Sequence, residues 1–217
     1  MIPIILDVET RSHPDAHLWF DPVEPDGRLV DPVKIEASIK ERTAEREANF
    51  SLHPDTNCLV ALGYHIVGHE SPTCLLMRDE YEEREMLRQF WEGYGLLDRR
   101  NEVRLVTFNG LAFDIPVLLA RSMYLDIDCP DVSCDRYRSP HAPYDVMWRL
   151  SRSGTVKAHK LSFYAKRFGF TLLDRVHGSD IARLFAEEDF NAIEAHCLSD
   201  VGLTHAIANR LKLLKVA

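Results

Sequence analysis

IPIILDVET, residues 2–10, is the stretch on which the rest of the chain turns. A nearly continuous apolar run that ends in an acid has the pattern of a buried strand delivering a side chain at its C-terminal end. The run predicts a strand over residues 2–7. Alternate residues of a strand point to the same face, so Asp7 and Glu9 project together. Two carboxylates this close repel each other unless a cation sits between them. No basic segment precedes the run, so MIPIILDVET does not read as a signal peptide.

Outward from this strand the chain alternates between sheet and helix patterns. Residues 11–32 are rich in Pro, Asp and Gly and predict an irregular excursion; residues 33–49 carry helix formers with charges of both signs and predict an exposed helix. The span of about 11–55 therefore reads as an insertion within a single domain of 217 residues. Strands are expected at 58–67, 73–77 and 103–108. A helix over 79–98 places Leu87, Phe90, Trp91 and Tyr94 on one face. Asn109-Gly110 turns the chain into a helix over about 113–123, and residues 124–142 read as loop. The remainder is expected to be helical, at 144–152, 160–168, 178–186 and 189–214. This order predicts an α/β domain, a mixed sheet with helices on its faces.

Composition narrows the function. Hydrophobic residues make up 46% and charged residues 28%, as in an ordinary globular protein. No stretch reaches the roughly 18 apolar residues of a membrane span. Five cysteines, without a Cys-x-x-Cys pair, argue against a disulfide framework or structural zinc and fit reduced thiols in a cytoplasm. A net charge of −8 argues against a nucleic-acid coat protein. It leaves room for a carboxylate-rich site that meets phosphate once divalent ions fill it. Charge is also uneven: from Val146 to Leu173 there is no acid, and Arg149, Arg152, Lys157, Lys160, Lys166 and Arg167 fall there. Lys157 and Lys160 are the candidate phosphate contacts. Trp148, Phe163, Tyr164 and Phe168 are candidates for stacking on bases, with core packing as the alternative, favoured for Phe163 and Phe168.

Two further acids stand out. Asp114 follows a strand and a tight turn at the start of a helix, where capping alone would favour an acid. Asp200 sits in the middle of an apolar helix, where capping cannot explain it. His196, four residues earlier, shares its face.

DVET (7–10), TFNGLAFD (107–114) and HCLSDV (196–201) resemble, in order, the three motifs of the DEDD (DnaQ-like) exonuclease superfamily. The nearest resemblance is to stand-alone PolB-like 3′–5′ exonucleases, including compact phage-type forms. It implies a ribonuclease H-like fold and removal of nucleotides from the 3′ end of single-stranded nucleic acid, DNA before RNA. It also implies that Asp7, Glu9 and Asp200 hold the first of two divalent cations, with Asp7 bridging to the second and Asp114 supporting it. Oxygen-only ligands suit Mg²⁺ or Mn²⁺. Thr10 and Asn109 fall where relatives contact the terminal nucleotide. The motif residue before the last acid is Tyr four positions earlier or His five positions earlier in the superfamily. Here it is His four earlier, which makes His196 the candidate general base and His205 a weaker one. The sequence shows no polymerase domain, so any proofreading is expected in trans, with a polymerase or replication partner, in the cytoplasm of a bacterial or phage-infected cell. The competing readings are a catalytically degenerate module of the same fold that binds nucleic acid or a partner, and a ribonuclease H-like endonuclease or transposase. Calcium binding at Asp126, Asp128 and Asp131 lacks the loop glycine and the terminal Glu of an EF-hand.

Overall fold

The computed structural model describes residues 1–98, 103–134, 142–172 and 174–214. The first strand, β1 (Ile2–Ser12), runs past the expected end at residue 7. Its polar end stays in the sheet because β2 (Asn57–Ile66) pairs with it antiparallel as far as Ser12↔Asn57, across a register shift between Glu9 and Thr10. On its other side β1 pairs in parallel with β4 (Val103–Thr107) only as far as Ile5↔Val106. Asp7 and Glu9 thus stand in mid-strand, just beyond the end of one neighbour.

β3 (Thr73–Leu76) lies outside β2, and β5 (Tyr144–Asp145) pairs in parallel with β4, giving the order β3-β2-β1-β4-β5. β5 occupies the start of the helix expected at 144–152. Only α4 (Val146–Leu150) forms there, because the Asp145 carboxylate caps it by accepting the Trp148 N–H at 3.0 Å.

Strand alternation sorts β1 between two layers. Ile4, Leu6 and Val8 join the core beneath α2 (Glu80–Leu97) and α3 (Asp114–Tyr124), with Leu87, Phe90, Trp91, Ile115 and Leu118. Ile5 faces the opposite layer, with Tyr164 of α5 (Leu161–Phe168) and Val201 and Ile207 of α7 (Phe190–Arg210). Asp7 and Glu9 share that second face. α6 (Ile181–Ala186) completes the layer beside α7 through Ile181, Leu184 and Ile193. Gly63, opposite Asp7 in register, lets α7 approach closely: a Cβ there would lie 2.7 Å from Cys197 Sγ and 3.0 Å from Val201 Cγ2.

On α5 the inward positions are Leu161, Tyr164 and Ala165, spaced as one helical face. The assignments of Phe163 and Tyr164 are therefore reversed from expectation. Tyr164 is core, and Phe163 is 45% exposed and stacked on His159 at 4.0 Å.

Opposite α7, a buried ion pair ties three elements together. Arg121 Nε and Nη2 donate to Glu83 Oε1 and Oε2 at 2.7 and 2.9 Å, and Glu83 Oε1 also accepts the Leu59 N–H at 2.9 Å. Between β1 and β2 the chain forms 3₁₀ turns at Ala16–Trp19 and Phe50–Leu52 and the helix α1 (Pro32–Glu47), which Asp31 caps and which buries no residue. Among the described residues no helix is long and apolar enough to cross a membrane.

Candidate active site

Four acids from three elements line one cleft of about 500 Å³: Asp7 and Glu9 from β1, Asp114 from the first turn of α3, and Asp200 from α7. Each is aimed there by backbone that the sequence dictates. Past the end of its pairing with β4, Val8 has no strand neighbour on that side, and its N–H donates to Asp114 Oδ1 at 3.1 Å. Asp114 is therefore not the cap of its own helix; the N-cap residue, Phe113, makes no side-chain cap bond. The turn ahead of it depends on Asn109 in the left-handed region (φ 69°) and on Gly110, whose added Cβ would lie 2.4 Å from Thr107 Cβ. The Asn109 N–H is held by Asp145 Oδ1 at 3.1 Å.

His196 shares the α7 face with Asp200 and is nearly buried. Its Nδ1 is hydrogen-bonded to Asp174, and its Nε2 lies 3.5 Å from Glu9 Oε1. Asp174 lines the same cleft, so a fifth carboxylate stands behind the imidazole. Neither Asp174 nor Asp145 was among the sequence candidates. Asp174 lies in an irregular segment with no periodicity to mark it, and its partner is 22 residues away.

The electrostatics are those of crowded acids, whose burial and mutual repulsion outweigh the cations nearby. Burial first, then Glu9, Asp114 and Asp200, push Asp7 well above the carboxylate range. Burial and then Asp200 and Asp114 do the same to Glu9. Burial raises Asp114 to about 7 against the two backbone N–H bonds that oppose it, and burial also raises Asp200. Asp174 goes the other way. Burial would lift it, but the Val176 N–H and the His196 ring outweigh that and hold it below its usual value. Cys197 Sγ lies within 4.8 Å of carboxylate oxygens of Asp7 and Glu9. A hydrogen bond with Cys74, followed by burial, pushes this thiol up, and soft sulfur suits a hard cation poorly.

The other candidates are placed unevenly. Asn109 and Lys160 line the cleft, as does Lys166. Lys157 is exposed ahead of α5, outside that lining. The Thr10 side chain is turned from the cleft and donates to the Ser51 carbonyl at 2.7 Å, which anchors the turn carrying Leu52 to the rim. His205 packs edge-on against His65, ring centres 4.9 Å apart, away from the acids.

Residues 71–216, two thirds of the chain, match a family described as "predicted 3′–5′ exonuclease related to the exonuclease domain of PolB". The chain belongs to this family. The span matched to the PolB-like exonucleases contains Asp114, Asp174, His196 and Asp200; Asp7 and Glu9 precede it and reach the cleft through the sheet. No curated protein matches the chain. Among solved structures, the family B DNA polymerase of the hyperthermophilic archaeon Pyrobaculum calidifontis is similar over 98% of this chain and 24% of its own, with a TM-score of 0.65 at 16% identity. An exonuclease I structure that addresses processivity is similar over 99% of this chain and 41% of its own, TM-score 0.51 at 11% identity. E. coli exonuclease I in complex with a dT13 oligonucleotide gives 98%, 41% and 0.50 at 10% identity. The chain thus spans less than half the length of each of these proteins. At such identities the likeness concerns the fold, which is ribonuclease H-like: a mixed five-stranded sheet flanked by helices.

Proposed function

We propose that the protein is a 3′–5′ exonuclease that hydrolyses single-stranded DNA with two divalent cations, Mg²⁺ or Mn²⁺. The observation that carries this reading is the convergence of Asp7, Glu9, Asp114 and Asp200 on one cleft whose rim bears Lys160 and Lys166. The donor set fits the cations: it is all oxygen, and its carboxyls are lifted by burial and mutual repulsion that a dication relieves. Asp7, Glu9 and Asp200 would hold one ion, with Asp7 and Asp114 supporting the other. Once bound, the pair supplies Lewis-acid stabilisation of the phosphoryl charge and an acidified attacking water.

The chain's own residues do the rest. Asp174 accepts from His196 Nδ1 and so leaves Nε2 as the acceptor facing the cleft, the arrangement of an oriented general base. Lys160 and Lys166 draw phosphates to the acidic cleft, and Leu52 with Phe113 offers an apolar wall for a terminal base. The similarity in fold to exonuclease I bound to dT13 supports single-stranded DNA as substrate, and a polymerase in trans is the partner that a proofreading role would need.

The test is digestion of end-labelled oligonucleotides with Mg²⁺ or Mn²⁺. A 3′ label is released at once as mononucleotide and a 5′ label gives a descending ladder, faster on DNA than on RNA. Internal cuts without 3′ release, or no cleavage with either ion, would refute the reading.

Three results follow from the geometry. His196→Ala lowers the single-turnover rate at least about 10²-fold with Mn²⁺ binding kept, and Asp174→Asn lowers it in the same direction with an altered pH–rate profile. An Asp174→Asn enzyme with an unchanged profile would leave the pair a merely structural role. Replacing Lys160 and Lys166 together by alanine weakens binding and flattens its log–log salt dependence by about 1.4, two phosphate contacts on a single strand; this is read by fluorescence anisotropy in chelator. The third result is pH-dependent. Between the ordinary 3.8 of an Asp and about 7, Asp114 keeps its proton in the folded state and loses it when unfolded. The folded chain then binds more protons, so the stability of the metal-free protein falls as pH rises through that window. Urea unfolding in chelator should show the decline, and Mn²⁺ should abolish it.

A further inference from the structure

A second cavity, about 680 Å³, shares no lining residue with the acidic cleft and opens between the turn at residues 16–20 and the end of α3. Its floor includes Arg121, whose charge is already met by Glu83. Its rim carries Asp15, Asp55 and Glu80. His13 also lines it and adds no cation near neutrality, because burial and then Arg121 hold its pKa below the usual value. Trp19 and Tyr124 form its walls at 52% and 50% exposure, an unusual amount of aromatic surface to leave in water.

These side chains are held ready. The Trp19 ring packs on His13 at 4.7 Å, and the Tyr124 hydroxyl donates to Asp55 Oδ1 at 2.8 Å. Phe20, also in the wall, is occupied on its own account: it stacks on Phe50 at 5.3 Å and receives the Arg46 guanidinium at 5.0 Å. The aromatic cluster thus already binds one guanidinium from within the chain. Asp55 is taken up by the Tyr124 hydroxyl and lies 3.6 Å from His53, and Glu80 lies 4.0 Å from the His13 ring, but neither has a Lys or Arg partner. Aromatic faces beside such exposed carboxylates select a flat cation, because a guanidinium stacks on a ring while its N–H groups reach acids at the edge. Phosphate is disfavoured by the same three acids, which separates this cavity from the catalytic cleft with its lysine rim.

We propose that this cavity is a docking site for an arginine-bearing segment of a partner protein, its guanidinium lying between Trp19 and Tyr124 and pairing with Asp15 and Glu80. The inference is independent of the nuclease reading.

The chain has three tryptophans, so the indole N–H resonances of the ¹⁵N-labelled full chain give a local readout, with Trp19 assigned through Trp19→Phe. The probes are a capped Gly-Arg-Gly-Arg-Gly peptide, its Glu counterpart and an oligo-dT strand. The Arg peptide should shift the Trp19 resonance saturably and leave that of Trp148 in place. The variant carrying Asp15→Lys and Glu80→Lys should bind it at least roughly tenfold more weakly, with digestion of single-stranded DNA unchanged. Tyr124→Ser, which removes one stacking face, should weaken the same shift and guards against poor folding of the charge-reversed variant. No shift with the Arg peptide, or an equal shift with the Glu peptide, overturns the proposal. A Trp19 shift with oligo-dT that survives the charge reversal also overturns it and makes the cavity part of a nucleic-acid path.

Discussion

On the proposed function, Asp7→Ala should leave the protein folded and take hydrolysis of single-stranded DNA below about 10⁻⁴ of the unaltered rate, a loss of at least about 5 kcal/mol in transition-state stabilisation. In the proposed centre Asp7 would support both cations, so its removal would affect the whole centre. The fold does not depend on it in the same way. Burial and three neighbouring carboxylates make the charged form of Asp7 unfavourable, so the metal-free variant should be as stable as the starting protein or slightly more so. The two effects separate cleanly in experiment. Melting in chelator should give an equal or higher midpoint. Melting in Mn²⁺ should lose most of the upward shift that ion binding gives the unaltered chain by mass action. Substantial activity of the variant at saturating Mn²⁺ would remove Asp7 from the site.

The largest effect on stability is expected at the opposite layer. Arg121→Met strands the Glu83 carboxylate at 2% exposure with a single backbone N–H for company. Breaking a buried pair from one side costs about 3–5 kcal/mol, a large share of the 5–15 kcal/mol that holds a typical domain folded. Replacing both partners by methionine should cost far less, because no charge is left behind. Urea unfolding tests this: a fall in midpoint at constant m-value for the single variant, largely restored in the double. If the double variant is as unstable as the single, packing rather than charge holds these elements together.

Much of this arrangement was legible in IPIILDVET and the two later motifs. An apolar run, a one-residue alternation and a single acid in an apolar helix each have few physical explanations. Together they gave the sheet-and-helix order and the four acids of the cleft. What escaped lacked such a signature. β5 is two residues long, too short for any period to register, so its residues were read into the helix that follows. The end of β1 is polar and reads as loop, yet backbone pairing with β2 carries it to Ser12 regardless of side chain. Asp174 sits in irregular chain, and nothing local announces that it will meet His196. Phe163 and Tyr164 are adjacent aromatics on a short helix, and a rotation of about 100° per residue decides which one is buried.

β1 pairs with β2 on one edge and with β4 on the other, while the helix carrying Asp200 is the last of the described helices. The acids of the cleft are therefore drawn from almost the full span of the chain. In such a topology loop-closure entropy must be met before the distant contacts form, which slows folding. It also makes the proposed centre all-or-none: a partly synthesised chain, or one clipped by a protease between β1 and α7 and separated, lacks part of the set of four acids. On the proposed function, a cell making this protein would meet nuclease activity only from folded molecules that hold both ends of this span.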